Sequence, residues 1–350
     1  MRNLTFKNTD VEVHVVHGTS QHKIDFSAIS FGQTFIENSY KVKTLQSQSS
    51  FEGSVINRAN PAEFEINIPL LANSRNKILF DRLLDVATFD LYISTHYDVF
   101  KLEKCVIQNG TFQINKSRPL RLTLQGEASK LSNHSPDASN LALSAIKGRR
   151  VIIISTGDSN FTSVGASENR VGVVFTATDN LGSGTGIVRP VAPGSLLFAN
   201  STDYTYIIPK LTKLTLGGVD ISASVINLSL ELENDINWNG YNTIQGAVSA
   251  TDAATSMYPS TFTIGTKILG GSIRRYLEQD SSTALTWNSN TALDLKVGTL
   301  GAFTGVRVNS SNCTFTNRIS TGSEVFQEEF NWRMIQNPTS ITSVLTYATA

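Results

Sequence analysis

The chain carries nearly the same passage twice. FKLEKCVIQNGTFQINKS (100–117) lies without a gap over FTGVRVNSSNCTFTNRIS (303–320), which places Phe100 on Phe303, Asn109 on Asn312, Thr111 on Thr314, Phe112 on Phe315 and Ser117 on Ser320. The flanks repeat as well. FDRLL (80–84) and IRRYL (273–277) each put apolar residues at i, i+3 and i+4, one face of a short helix. An alternating segment precedes each of them, FEINI (64–68) and FTIG (262–265). Another follows, LYI (91–93) and LDLKV (293–297). The order strand, helix, strand, hairpin therefore occurs twice, the mark of an internal duplication. A duplicated chain must build two copies of one small fold, and Phe100, Phe112, Phe303 and Phe315 are expected as repeat-equivalent core residues.

The fold class read from periodicity is mainly β. VEVHVV (11–16), FEINI, LRLTL (120–124) and INLSLELE (226–233) alternate apolar with polar side chains. Period two with one polar face means a sheet wetted on one side and packed on the other. Asn109-Gly110 carries a type I′ hairpin signal, whereas its counterpart is Asn312-Cys313. Helix is expected at 73–87, with Asn73 or Ser74 as N-cap, and more briefly at 271–280. Each half reads as an antiparallel β-sandwich or barrel with one short flanking helix. The divisions are an N-terminal arm at 1–22, a first β-domain at 23–133 and a linker at 134–205 holding a small β-module (151–191). A second β-domain follows at 206–336, then a tail at 337–350.

Charge excludes one class of function. Lys plus Arg number 29 and Asp plus Glu number 29, for a net charge of zero, and a protein that grips nucleic acid through its phosphates needs a basic excess. Two cysteines, Cys105 and Cys313, do not superpose in the repeat and make no disulfide framework. They read as buried thiols. MRNLTFKNTD has no apolar signal core, and no stretch approaches the roughly 20 apolar residues of a membrane span, so synthesis in a cytoplasm is expected.

Candidate chemistry is sparse. GSGTG (182–186) runs into GIVRPV, which has no helical period, so it reads as a hairpin tip rather than a phosphate loop. His14, His17, His22, His96 and His134 lack metal-ligand spacing and read as polar surface residues. Glu328 and Glu329 beside Trp332 read as an exposed strand end rather than a glycosidase acid. Trp238, Trp287 and Trp332 read as core or loop anchors rather than sugar-stacking platforms. No catalytic, cofactor-binding or metal-ligating residue is assigned, and no enzymatic activity is expected.

DFSAISFGQTF, SVINRANPAEFEINIPLL, FDLYIST and CVIQNGTFQI…LTLQGEASKL in the first half resemble the tail-tube proteins of long-tailed bacteriophages. DISASVINLSLELENDINWNGYN in the second half is similar to the same family. STGDSNFTSVGASENRVGVVFTATDNLGSGTG resembles a module that recurs within tailed-phage structural proteins. The resemblance implies a virion structural protein, a sandwich with a flanking helix, and a ring closed around a lumen through which the genome passes. A duplicated member would form a pseudo-sixfold ring from three copies. The expected partners are further copies in the ring and in stacked rings, other tail proteins (baseplate, terminator, sheath) and viral DNA passing without specific binding. The middle module and long second half leave open a tube-like baseplate or neck position, and a carbohydrate-binding decoration protein stands as a further alternative. Within the family such a segment as 226–242 resembles a lumen hairpin. That assigns Ser229, Glu231 and Glu233 to the lumen, with Ile226, Leu228, Leu230 and Leu232 behind them.

Overall fold

The computed structural model describes residues 11–43, 50–115, 118–133, 139–197, 205–238, 257–277, 290–299, 302–321, 325–335 and 341–350. Residues 1–10 of the arm, His134, Trp287 and 337–340 lie outside the described residues. The first half comprises β1 (Glu12–His17), β2 (Ser20–Ile24), β3 (Ala28–Gly32), β4 (Phe35–Lys43), β5 (Ser50–Ala59), β6 (Ala62–Pro69), α1 (Lys77–Asp85), β7 (Phe89–Ser94), β8 (Val99–Gln113), β9 (Arg121–Ala128) and β10 (Lys130–Asn133). The middle segment holds β11 (Arg150–Ser155), β12 (Val174–Thr176), β13 (Ile187–Pro190) and β14 (Ser195–Leu197). The second half comprises β15 (Lys210–Leu216), β16 (Val219–Asp220), β17 (Val225–Trp238), β18 (Phe262–Tyr276), β19 (Thr291–Gly298), β20 (Gly305–Thr321), β21 (Phe326–Met334) and β22 (Leu345–Ala348).

The fold is mainly antiparallel β, and its pairing scheme repeats. β1 pairs with β2 and β7, as β15 pairs with β16 and β19. β8 pairs with β7, β9 and β10, as β20 pairs with β19, β21 and β22. β6 lies between β3 and β9, as β18 lies between β17 and β21. One apolar core runs through both halves. It gathers Val13, Val15, Leu91 and Ile93 from the first wall, Leu214, Leu216, Leu295 and Val297 from the second, and Leu79, Phe80 and Leu83 of α1. Phe112 and Phe315 both lie in it, at 2% and 8% exposure. Phe100 and Phe303 are half-buried, Phe100 against Phe31 with ring centroids 5.5 Å apart.

The segment 271–276 belongs to strand β18 rather than a helix, paired on both sides by β17 and β21. Its inward positions are Leu269, Gly271, Ile273 and Arg275; a glycine and an arginine in that row hide the period of two, and Arg275 is tolerated because it pairs with Glu328 at 2.9 Å. Asn109-Gly110 is not a turn, since β8 runs straight through it. Gly110 is needed because α1 crosses it closely: a Cβ there would stand 2.3 Å from a Leu83 methyl. The presumed tail is strand β22, whose Leu345 and Tyr347 are buried and whose pairing extends the β20 sheet. The N-cap position of α1 is Asn76, and its side chain does not cap. Its Nδ2 instead donates to the carbonyls of Asp25 and Pro69, each at 2.9 Å.

The middle segment folds as a three-stranded sheet, β12-β11-β13, over its own core of Ile146, Val151, Ile153, Phe161, Val164, Phe175 and Val188. It lies against the outer wall of the first half. Val174, Val191 and Ala192 cover Val16, Tyr92 and Val99. This explains why His14, expected at the surface, is 1% exposed: the outward face of β1 is roofed by the module.

Candidate assembly surface

The two halves join through one continuous sheet. β17 pairs antiparallel with β8 over Ser229↔Gln113 to Glu233↔Asn109, giving the order β3-β6-β9-β8-β17-β18-β21-β20. A single transverse row runs Ala28, Asn67, Thr123, Thr111, then Glu231, Gly270, Arg333, Thr314. The first four residues come from the first half. The last four come from the corresponding strands of the second half, in the same order. The halves are thus related head to tail along the sheet, the arrangement that propagates, unlike the self-matching contact of a two-fold pair.

The junction is pinned below the sheet. Asn234 is 2% exposed, and its Nδ2 donates at 3.0 Å to the carbonyl oxygens of both Leu83 and Ile107. Lys267 donates to the Leu84 carbonyl near the C-terminal end of α1, where a cation suits the helix dipole. Ile236 packs on Val86 and Val106.

One face of this sheet is polar across its width. None of the eight residues of the row is buried. Asn67 Nδ2 and Gln113 Nε2 donate to Thr123 Oγ1 at 3.0 and 2.9 Å, Gln125 Nε2 donates to Glu65 at 3.0 Å, and the Ser229 and Ser272 hydroxyls bond at 2.8 Å. Glu63, Glu65, Glu127, Glu231, Glu233 and Glu329 stand on it against Arg121, Arg274, Arg318 and Arg333. Burial pushes the Glu127 carboxyl above its ordinary range, opposed by its hydrogen bond with Gln108 and aided by Glu63.

Glu231 and Glu233 are exposed on this face, and Asn109 Nδ2 donates to Glu231 at 2.7 Å. Ser229 shares the face but is half-buried. Leu228, Leu230 and Leu232 are buried behind them. Ile226 is not: it is 42% exposed, because an irregularity between Val225 and Asn227 breaks the alternation there.

The sheet ends in two unlike edges. Among the described residues β3 pairs with β6 alone. At the far end, Cys313 is flanked by Thr291 of β19 and Met334 of β21, so those strands lie on opposite sides of β20. β21 continues along Thr314–Thr321, but β19 has ended, and no strand covers that side among the described residues. In β8 the corresponding side is where β17 sits. These edge residues were not singled out in the sequence. The signal available was the match of Thr111 with Thr314, since Thr111 is a junction residue.

The other sequence candidates disperse. Glu328 is 3% exposed and bound to Arg275, with Asn317 Nδ2 at 3.2 Å, so it is a core ion pair rather than an exposed strand end. Trp332 is buried and Trp238 stacks on Phe262 at 5.2 Å. The GSGTG segment is a turn between β12 and β13, held where Asp158 accepts from Thr185 Oγ1 at 2.9 Å. Cys105 and Cys313 are free and buried. Among the described residues, no group of three or more His, Cys, Asp or Glu side chains is placed to hold a metal ion, and no helix is long and apolar enough to cross a membrane.

No family model matches the chain, and no curated protein matches it. Among solved structures it is similar to a chain of the anti-feeding prophage baseplate, with TM-score 0.30 and 11% identity over 38% of this chain and 96% of that one. It is similar to a chain of the sheath/tube terminator of an extracellular contractile injection system, with TM-score 0.31 and 10% identity over 39% and 100%. A chain of the sheath-tube complex of such a system gives TM-score 0.30 and 11% identity over 38% and 94%.

Proposed function

We propose that this chain is a structural subunit of a phage tail, a tube protein whose copies join edge to edge as its own halves do. The observation that carries this reading is the transverse row that enters at Ala28 and leaves at Thr314, with the first-half order repeated in the second. A second copy placing its Ala28 beside Thr314 would repeat the β8–β17 junction between chains. Three copies would supply six repeats to a ring. The polar face would line the lumen, with Ser229, Glu231 and Glu233 toward passing DNA. Carboxylates there favour sliding, because cations would hold phosphates through counterion release. Rings would stack into a tube and meet other tail proteins at its ends. The edge chemistry supports assembly: among the described residues β20 presents a long edge without a partner strand, with Ile319 57% exposed, and such edges are ordinarily blunted in chains that stay single. The test is the mass and shape of the purified protein. Rings or tubes built from three 38.1 kDa chains or a multiple are expected. A particle that stays at one chain's mass at every concentration overturns the reading.

A further inference from the structure

β20 and β21 run well past the sheet junction. After Phe315, β20 continues through Ile319 to Thr321, and β21 returns from Phe326, whereas β8 ends at Gln113, one residue after Phe112. The second half therefore bears a tongue that the first lacks. One side of it exposes Ile319 at 57% and Phe326 at 58%. Large apolar side chains gathered on one projection mark a contact surface.

A receiving surface stands at the opposite edge of the molecule. Beside β3, at the corner between β2 and β3, lies a cleft of about 510 Å³ lined by Val11, Lys23, Ile24, Asp25, Phe26 and Tyr206, among others. Tyr206 is 46% exposed there, and Phe26 is half-buried. Pro119 and Arg121, where the short β8–β9 connection of the first half returns, form part of its wall.

The geometry points to the tongue of one copy seating in this cleft of the next. The inference rests on the edge-to-edge reading above, which sets the register. With Thr314 opposite Ala28 in antiparallel pairing, Thr316 faces Phe26 and Ile319 reaches the level of Lys23. The receiving chain turns away at Asp25–Ser27, from β3 into β2, so the tongue runs on past that corner into the cleft. The occupant is a second copy of this chain. Its Ile319 meets the stem of Lys23 and the ring of Phe26, and its Phe326 side lies toward Tyr206. The contact supplies what the five residue pairs of the internal junction obtain instead from Asn234 and Lys267 reaching under α1. It also fixes polarity, because among the described residues the tongue extends from the second half and the cleft lies beside β3 of the first.

Two cysteine pairs separate this inference from the reading beneath it. Full-length protein carrying Ala28→Cys with Thr314→Cys reports the sheet junction. Full-length protein carrying Lys23→Cys with Ile319→Cys reports the tongue in the cleft. Cys313 faces the core and stays out of the reaction. Under mild oxidation both pairs are expected to give multimers on a non-reducing gel that collapse to one band on reduction. If only the Ala28/Thr314 pair bonds between chains, copies join as proposed but the tongue does not seat, and the inference falls alone. If neither pair bonds, the inference and the assembly reading fall together. As a second measurement, Ile319→Asp should raise the concentration at which particles form about tenfold or more, the scale of losing one buried aliphatic side chain. Unchanged assembly by Ile319→Asp overturns the inference.

Discussion

In the first half the open side of β8 is covered by β17 and the outer wall by the middle module. In the second half no described residue pairs with the corresponding side of β20 beyond Cys313 or covers the corresponding wall with a second sheet. The strand plan is the same, so the difference lies in the side chains each copy has acquired. The first wall presents Val16, Tyr92 and Val99 and needs a roof. The second presents Lys210, Lys213, Lys296 and Arg307, with Lys213 and Arg307 paired to Asp294, and needs none. One strand plan dressed with different side chains thus gives the molecule two unlike ends.

The comparison breaks most forcefully at the paired phenylalanines. Phe112→Ala and Phe315→Ala each empty a core site at the corresponding position of a long strand. A buried Phe truncated to Ala costs about 3–5 kcal/mol. Phe112 packs edge-on to Phe80 of α1 with centroids 6.2 Å apart, so its loss should lie at the upper end. Phe315, nearer the bare edge, should lie lower. Urea unfolding of both single variants checks the order, and a Phe315 loss larger than that at Phe112 would contradict equivalent sites differing only in cover.

The module tests the other asymmetry. Arg150 is 6% exposed. It donates to Glu12 Oε1 at 3.4 Å, to Ser94 Oγ at 3.3 Å and to the Thr95 carbonyl at 3.0 Å. Thr176 Oγ1 donates to the same Glu12 oxygen at 2.8 Å, and Lys23 approaches the other at 3.1 Å. Removing one partner of a buried ion pair strands the other, at about 3–5 kcal/mol. Because Lys23 remains beside Glu12, Arg150→Ala should fall at the low end. Its expected signature is faster hydrogen exchange in β11 and β12 with β19 unchanged. Equal loosening of both halves would show that the module is not held by the first half alone.

Much of this arrangement could be read before the fold was seen, and the gaps have causes. FEINI, LRLTL and INLSLELE mark β6, β9 and β17 because no polar residue interrupts the inward rows Phe64–Ile66–Ile68, Leu120–Leu122–Leu124 and Leu228–Leu230–Leu232. The α1 stripe of Leu79, Phe80, Leu83 and Leu84 was equally plain. β18 was misread because Gly271 and Arg275 occupy its inward row. Asn109-Gly110 misled because a glycine serves a close helix as well as a turn. The junction could not be read, since the alternation in β17 is the same whether its neighbour is water or β8. The edge of β20 depends on where β19 stops, a fact of pairing that no local pattern encodes.

Acid should act on the first half before the second. Burial lowers the His14 pKa to about 4, with Lys23 and Arg150 adding to the effect and Glu12 opposing it. A histidine held neutral contributes stability that is lost as pH falls from about 6.5 toward about 4, because the unfolded chain binds the proton first. Burial raises Glu12, but Arg150, Lys23, His14 and Thr176 together outweigh it and hold the carboxylate below its ordinary range. Its contribution is present above about 4.5 and lost as pH falls further. Both groups sit under the module, so exchange protection of β11 and β12 should decline across this range ahead of β19. Loss in the reverse order would refute a cluster-controlled contact.

The smallest effect concerns the polar face, where the halves also differ. On the first half's strands the carboxylates Glu63, Glu65 and Glu127 face one arginine, Arg121. On the second half's, Glu231, Glu233, Asp235 and Glu329 stand with Arg274, Arg318 and Arg333, nearly balanced, with Arg274 bound to Glu329 at 3.1 Å. Reversing Glu231 and Glu233 to Lys would therefore tip the second half to a cationic excess while the first stays acidic. Neither residue is buried, and Glu231 gives up only an exposed hydrogen bond from Asn109, so folding and assembly should survive. If this face lines the lumen, each ring gains a band of cations spaced by acidic bands. DNA should then leave mutant particles slowly at low salt and normally at high salt, since counterion release makes such attraction salt-dependent. Glu63 and Glu65 changed to Lys should give less, because they only bring the first half toward balance. Normal ejection at low salt from well-formed Glu231→Lys, Glu233→Lys particles would move this face away from the DNA path.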